Sequence, residues 1–375
     1  MRRASHLALV ALAALTGRAA AAQSLPLAVG AGVDTVARAS HDVFARWRNY
    51  LRDHADTARA NAYWTADERA RWPAPDLATP WVAPAGSAWP DRLAATIVDL
   101  GPEVPGDTTT YVVRTLFTRD AVPVALVRVY AVRDGARWAL ANALPRLTRD
   151  WTRVDVGQVT FVHPSSHRYD SAAARRAARF VDSAAAATGA RPTRHVEVYF
   201  APSPREMARV LGAELAVLTN TGRVYPENAL VVAGSPTASE WNPHDLAHVV
   251  LGAVAGPTGR WWSEGAATWL GGRSGKDFAR LVRELDADLA RNPARTLDSL
   301  VAPHAWRDSA SATGAAVLVR LAFERGGLDA VRALVATPAD SPADVRRAAA
   351  QVLGVRPDDV ELLWRRAVRR LTSSA

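Results

Sequence analysis

Histidine is scarce in this chain, nine in 375 residues, yet His244 and His248 lie four apart in the run Asn242-Pro243-His244-Asp245-Leu246-Ala247-His248. Asn242 suits a helix N-cap and Pro243 the first helical position, and Val249, Val250 and Leu251 continue an apolar helix. Residues i and i+4 share one helix face with Cβ atoms roughly 5–6 Å apart, so the two imidazoles can converge on one ion. Neutral imidazole is a natural zinc ligand. Glu264, sixteen positions after His248, is the candidate third ligand. It sits in Trp261-Trp262-Ser263-Glu264-Gly265-Ala266-Ala267-Thr268-Trp269, a short helix that Ser263 can cap and Gly271-Gly272 stop. Gly256-Pro257 and Gly259 allow a chain reversal between the segments, and small Gly265, Ala266 and Ala267 allow close packing. Two histidines, one glutamate and an open fourth position describe a catalytic Zn²⁺ rather than a closed structural one. Zinc lowers the pKa of bound water toward about 7, and a nearby carboxylate can take the proton and pass it to a leaving amine. Asp245 is the candidate base. Its plainer alternative, of comparable weight, is a first-turn acid facing the helix dipole.

The His-Asp-x-x-His helix followed by Trp-Trp-Ser-Glu-Gly-Ala-Ala resembles the gluzincin group of zinc metallopeptidases, the peptidase MA-like domains. Their pattern is H-E-x-x-H, then a downstream W-x-x-E-G-x-A helix supplying a glutamate ligand. The resemblance covers roughly residues 156–372, and its motifs are confined to 241–272. It implies zinc on His244, His248 and Glu264, and a peptide or protein substrate lying along strand Asn228–Ala233 as the sheet edge. It also implies a small sheet before the metal helix and a helical part after it. Three departures qualify the implied activity. Asp245 stands where the family has Glu, about 1 Å short, and a misplacement of that size can cost ~10²-fold. The stretch 308–312 offers no Tyr or His to steady an oxyanion, His304 being the nearest candidate. Thr268 stands one turn after Glu264, where a supporting acid sometimes sits.

The expected function is therefore an exported, peptidase-like zinc metallohydrolase. The first alternative is a catalytically degenerate, peptidase-like binding protein. The second is an HD-type metal-dependent phosphohydrolase, which also carries a His-Asp pair on a helix. That fold is all-helical and needs an upstream His, for which His195 before a strand is the nearest candidate. It leaves the Trp261–Trp269 segment unexplained.

The elements that must position these residues indicate an α+β chain. Apolar positions Val33, Val36, Val43, Phe44, Trp47 and Leu51 predict a helix over 32–53. Five prolines between 73 and 90 read as a loop or linker. Runs rich in Val, Thr and Tyr at 94–100, 110–118, 122–132 and 137–142 predict an antiparallel meander. Together they suggest a small accessory domain over 30–150, which by topology alone looks like the nuclear-transport-factor-like fold. Beyond it, 158–163 and 195–200 read as strands and 171–188 as a helix, and Ser203-Pro204-Arg205-Glu206 opens another. Residues 228–233 are a further apolar strand. Nearly everything after 241 reads as helical, and the resemblance implies that 156–372 form a zincin-like domain.

Composition narrows the classes. There is no cysteine, which excludes disulfides, thiolate metal sites and thiol nucleophiles. Formal net charge is +9, but of 46 basic residues only Lys276 is a lysine, a bias that fits a GC-rich genome. The arginines are interleaved with acids rather than gathered into a patch, so nucleic acid is not an expected partner. Arg2 and Arg3, an apolar run Leu7–Leu15 and small residues at 19–22 read as a secretory signal peptide, residues 1–22. The nine-residue run is too short to span a bilayer. The mature chain is expected in the periplasm or outside the cell, without stable membrane insertion. N-terminal sequencing of the exported protein is expected to begin at Gln23, and an uncleaved Met1 would overturn that expectation.

Overall fold

A computed structural model describes residues 25–84, 86–192, 194–216, 221–255, 260–301, 308–339 and 341–373. The expected signal peptide, the reversal at 256–259 and His304 lie outside the described residues. Among the described residues no helix is long and apolar enough to cross a membrane.

The first sheet runs in the order β1 (Leu27–Val29), β2 (Leu93–Pro102), β3 (Thr110–Arg119), β4 (Val122–Asp134) and β5 (Arg137–Ala141). Its long strands are antiparallel, and the meander matches the sequence expectation closely. Side chains alternate between faces along β2 and β3, and one face is buried. Helix α1 (Arg38–Asp53) lays Val43, Trp47, Tyr50 and Leu51 on that face. Trp47 Nε1 donates to Thr115 Oγ1 at 2.8 Å, which satisfies an indole buried inside the layer. The helix begins at Arg38, later than the apolar spacing predicts. Asp34 instead accepts from the amides of Val36 and Ala37, and Val36 is 88% exposed. An Asx turn thus takes the place of the first expected helical turn. The short helices α2 (Thr57–Asn61) and α3 (Ala66–Arg71) follow, and α4 (Ala143–Leu147) leaves the sheet.

The second sheet is built from β6 (Thr152–Val156), β7 (Val159–His163), β8 (Val196–Ala201), β10 (Gly222–Tyr225) and β11 (Leu230–Gly234), ordered β10-β11-β8-β7-β6. Strands β11, β8 and β7 are mutually parallel, and the two outer strands are antiparallel to their neighbours. The parallel strands are covered on both faces, so β11 reads as a continuous apolar run, while β7 and β8 carry Thr160, His163 and Glu197 among mostly apolar residues. Helix α5 (Ser171–Thr188) and helix α7 (Pro243–Ala255) cover one face through Ala177, Val181, Leu246 and Val250.

This topology corrects one expectation. The strand expected at 228–233 is not the sheet edge, because β11 is paired on both sides. The edge is β10, four residues with no apolar alternation to mark them. Asn228 is outside the strand, in a 3-10 turn, where its side chain bonds the backbone of Ala74 at 3.0 and 2.7 Å.

The proline-rich segment also differs from a free linker. Trp72, Leu77 and Ala78 are buried, and Leu77 packs in one cluster with Tyr199, Tyr225, Leu230 and Val232 of the second sheet. Tyr225 donates to the Leu77 carbonyl at 2.9 Å, and Arg71 grips Glu197 through two nitrogens at 3.1 and 2.6 Å. Helix α6 (Pro204–Val210) then leads into β9 (Ala213–Ala216), which joins the first sheet beside β4. The N-terminal and C-terminal regions therefore meet in a shared apolar cluster, beside a larger core of their own in each.

Beyond α7 come α8 (Arg260–Gly271), α9 (Phe278–Arg291), α10 (Leu297–Leu300), α11 (Ser309–Val335, broken at Gly326-Gly327), α12 (Pro342–Leu353) and α13 (Val360–Ser373). The buried stretch Ala312–Val319 of α11 is the axis on which α8 packs. Leu77→Ala should cost about 2–5 kcal/mol, the usual range for a buried leucine. Urea unfolding followed by far-ultraviolet dichroism and by tryptophan fluorescence should stay coincident and shift together. Two separate transitions would contradict coupling through the shared cluster.

Candidate metal centre

Helix α7 opens at Pro243, so His244 and Asp245 lie in its first turn and His248 one turn on. Helix α8 runs back along it and presents Glu264. Gly271 decides how closely they meet, since a Cβ there would collide with the Pro243 backbone. Gly272, in the left-handed region at φ 71°, ends α8. Its carbonyl accepts from His244 Nδ1 at 2.7 Å. That bond places the proton on Nδ1 and leaves the Nε2 lone pair free to coordinate. On the other imidazole, Nδ1 of His248 meets Ser263 Oγ at 3.2 Å.

His244, His248 and Glu264 each bring one ligand atom to within 4.8 Å of the others. His244 Nε2 lies 3.4 Å from Glu264 Oε2, and His248 Nε2 3.9 Å from Glu264 Oε1. Ligands at zinc bond lengths in tetrahedral geometry stand about 3.3 Å apart, so the donor set has the chemistry and nearly the spacing for that ion. The group can hold a metal. His195, which the phosphohydrolase alternative needs nearby, is instead on Thr160 at 2.7 Å and does not join the cluster.

The electrostatics suit a cation. Burial would raise the Glu264 pKa, but in acid the hydrogen bond and charge of a protonated His244, the charge of a protonated His248, and Arg273 outweigh it and bring it to about 2. Burial, reinforced by His244, lowers His248 to about 4, so its imidazole is neutral and ready to coordinate near neutral pH.

Sequence reasoning missed Arg273, whose Nη1 donates to Glu264 Oε2 at 2.6 Å. It missed the Gly272 carbonyl and Ser263 as orienting groups as well. The glycine pair did mark the place where the chain bends back onto the site. Thr268 is fully buried, and its hydroxyl has no partner among the described residues. The Gly272 carbonyl thus does for His244 what a supporting acid would.

Asp245 is not among the three converging ligands. Asn242 Nδ2 donates to its Oδ2 at 2.6 Å, and the Asp245 amide reaches Asn242 Oδ1 at 3.4 Å, a reciprocal tie like a capping box. Its Oδ2 also stands 3.4 Å from where a Cβ on Gly222 would lie, so the carboxylate faces the edge strand β10. Burial raises its pKa, against the pull of His244 and Asn242.

No model of a known protein family matches the chain, and no curated protein matches it by sequence. Among solved structures it is similar to an M1 zinc metallopeptidase from Deinococcus radiodurans, at 13% identity and a TM-score of 0.31 over 77% of this chain. A mutant M1 zinc metallopeptidase from that organism, bound to a Tyr-Ser-Ala substrate, is similar at 14% identity and a TM-score of 0.32. The chain spans 66% of the length of each.

In the metal-stripped protein, His248 remains neutral down to about pH 4, whereas the unfolded chain takes up that proton near 6.5. Between these values the unfolded state binds more protons, so His248 makes stability fall as pH drops. Glu68, pushed up by burial to about 7, works in the opposite sense and loses stability as pH rises through that value. The difference between wild type and His248→Gln isolates the histidine. Across pH 7 to 4 the variant should lose less stability, by an amount on the order of 3 kcal/mol. Parallel melting profiles would contradict a depressed His248.

Proposed function

We propose that the chain is an exported zinc-dependent metallohydrolase of peptidase type. The observation that carries this reading is the convergence of His244, His248 and Glu264 with both distal imidazole nitrogens turned inward. These three residues would hold Zn²⁺, and the fourth position would remain open to substrate and water. When bound, the metal supplies a Lewis acid that polarises a carbonyl and acidifies water.

The remaining work falls to the chain's own side chains. Gly272 and Ser263 hold the two imidazoles in register. Arg273 keeps the Glu264 carboxylate turned toward His244 and balances its charge. Asp245 would take a proton from the attacking water and give it to the leaving amine, and its raised pKa brings it nearer the optimum for a base at neutral pH. A peptide is the substrate favoured by β10, which pairs with β11 on one side and, among the described residues, with no other strand. An extended chain adding to that edge by main-chain hydrogen bonds would pass Gly222 and Asp245.

A second reading, a metal-binding protein with little hydrolysis, is favoured by the Asn242–Asp245 tie, which spends one carboxylate oxygen on the helix cap. Elemental analysis separates metal binding from the rest. Protein purified without chelators should carry about one zinc per chain, lost in His244→Ala. Zinc-free wild type that stays so after zinc addition would sink the reading. On a mixed peptide pool, Asp245→Ala should abolish cleavage, and Asp245→Glu should raise it tenfold or more if reach limits the base. Activity unchanged in Asp245→Ala would remove that residue from the machinery.

A further inference from the structure

A cavity of about 220 Å³ lies beside the metal centre, between the second sheet and the start of α7. Its sheet-side wall is apolar, with Val198 and Phe200 from β8, Val231 and Ala233 from β11, and Leu246 of α7 joins them, while Thr237, Ser239 and Asn242 add polar groups to the lining. Two carboxylates line it as well, Asp245 and Glu240. Asp245 is the residue the cavity shares with the site described above. Glu240 is different in kind, because it is only 2% exposed and therefore a charge-bearing group taken almost wholly out of water.

Glu240 is held there by a histidine. His167 Nε2 meets its Oε1 at 2.8 Å. His167 in turn stacks on Phe200, with ring centroids 4.4 Å apart, and neighbours His163 at 5.2 Å. The carboxylate is thus fixed from behind by a packed imidazole. A carboxylate can accept about four hydrogen bonds, and among the described residues His167 is the one side chain that donates to Glu240. A buried carboxylate with spare acceptor capacity at a cavity with one apolar wall favours a ligand group that is cationic and rich in donors. The surroundings agree in sign. No arginine or lysine is among the residues lining the cavity, and Arg176 is stacked on the ring of the lining residue Trp241, 3.9 Å from its centroid.

We propose that this cavity receives a basic side chain of the peptide, its aliphatic shaft against Val198, Phe200 and Val231 and its cationic head on Glu240. A side chain of arginine or lysine presents that combination of apolar stem and charged tip. A glutamate side chain would bring a third carboxylate among two. The identity of the ligand as a peptide rests on the hydrolase reading, while the preference for a basic side chain rests on the cavity alone.

The two can therefore fail separately. Calorimetric titration of the zinc-loaded mature protein would use N-acetyl-arginine amide, N-acetyl-norleucine amide and N-acetyl-glutamate amide. The arginine amide should bind most tightly and the glutamate amide least. Glu240→Gln should weaken the arginine amide tenfold or more and leave the norleucine amide unchanged, with zinc content as in wild type. Should that variant fail to fold, Ala233→Leu fills the cavity from the sheet and should abolish binding of both the arginine and norleucine amides. Equal binding of the arginine and glutamate amides overturns the proposal, as does unchanged arginine-amide affinity in Glu240→Gln or Ala233→Leu. Arginine-amide binding without any peptide cleavage supports the cavity and counts against the hydrolase. Cleavage with no side-chain preference does the reverse.

Discussion

The contact between the end of α8 and the first turn of α7 is the constraint on which the rest depends. With no side chain at Gly271, the two helices approach until the α8 backbone touches Pro243. Gly272 can then turn into the left-handed region and offer its carbonyl to His244. Glu264 lies seven residues before Gly271, about two helical turns, and so on the same face of α8. One backbone contact thereby sets the orientation of an imidazole and the reach of the carboxylate opposite it. The packing behind this pair is equally close, since Gly265 leaves no room for a Cβ against Ala315 of α11.

Electrostatics follow from that geometry. Bringing two imidazoles and a carboxylate together in a largely enclosed space would be costly if all three kept the protonation of free side chains. Here the glutamate stays ionised with the Arg273 guanidinium bonded to it, and His248 stays neutral because it is buried beside His244. The site is thus arranged in the form a divalent cation needs. Asp245 is turned away from it, facing β10 and the adjacent cavity, which separates the three candidate ligands from the surface proposed to receive a peptide.

The N-terminal region is tied to this centre through the sheet. Leu77 and Trp72 pack under β8, β10 and β11, and β9 returns from the second region to pair with β4. The edge strand beside Asp245 is anchored from behind, with Tyr225 bonded to the Leu77 carbonyl and Arg223 to that of Pro80 at 3.2 Å. A segment that reads as a linker therefore braces the strand on which a peptide would lie.

Much of this was legible in local pattern. The meander of β2 to β5, helix α5 and the shared helix face of His244 and His248 follow from spacing, because the periodicities of strand and helix dictate which side chains share a face. The order of the second sheet was not legible. Strand β11 is apolar and short whether it lies inside or at an edge, and β10 carries too few residues to show a period. Arg273 was hidden for another reason, since its partner Glu264 lies nine residues away across a helix stop, where no periodicity applies. The pairing of Glu240 with His167, 73 residues apart, was equally out of reach. Sequence by itself determined which residues could be ligands and which helices carry them. Only the tertiary structure decided which way Asp245 faces, which strand is the edge and which charges meet, because those depend on contacts between segments that local spacing does not encode.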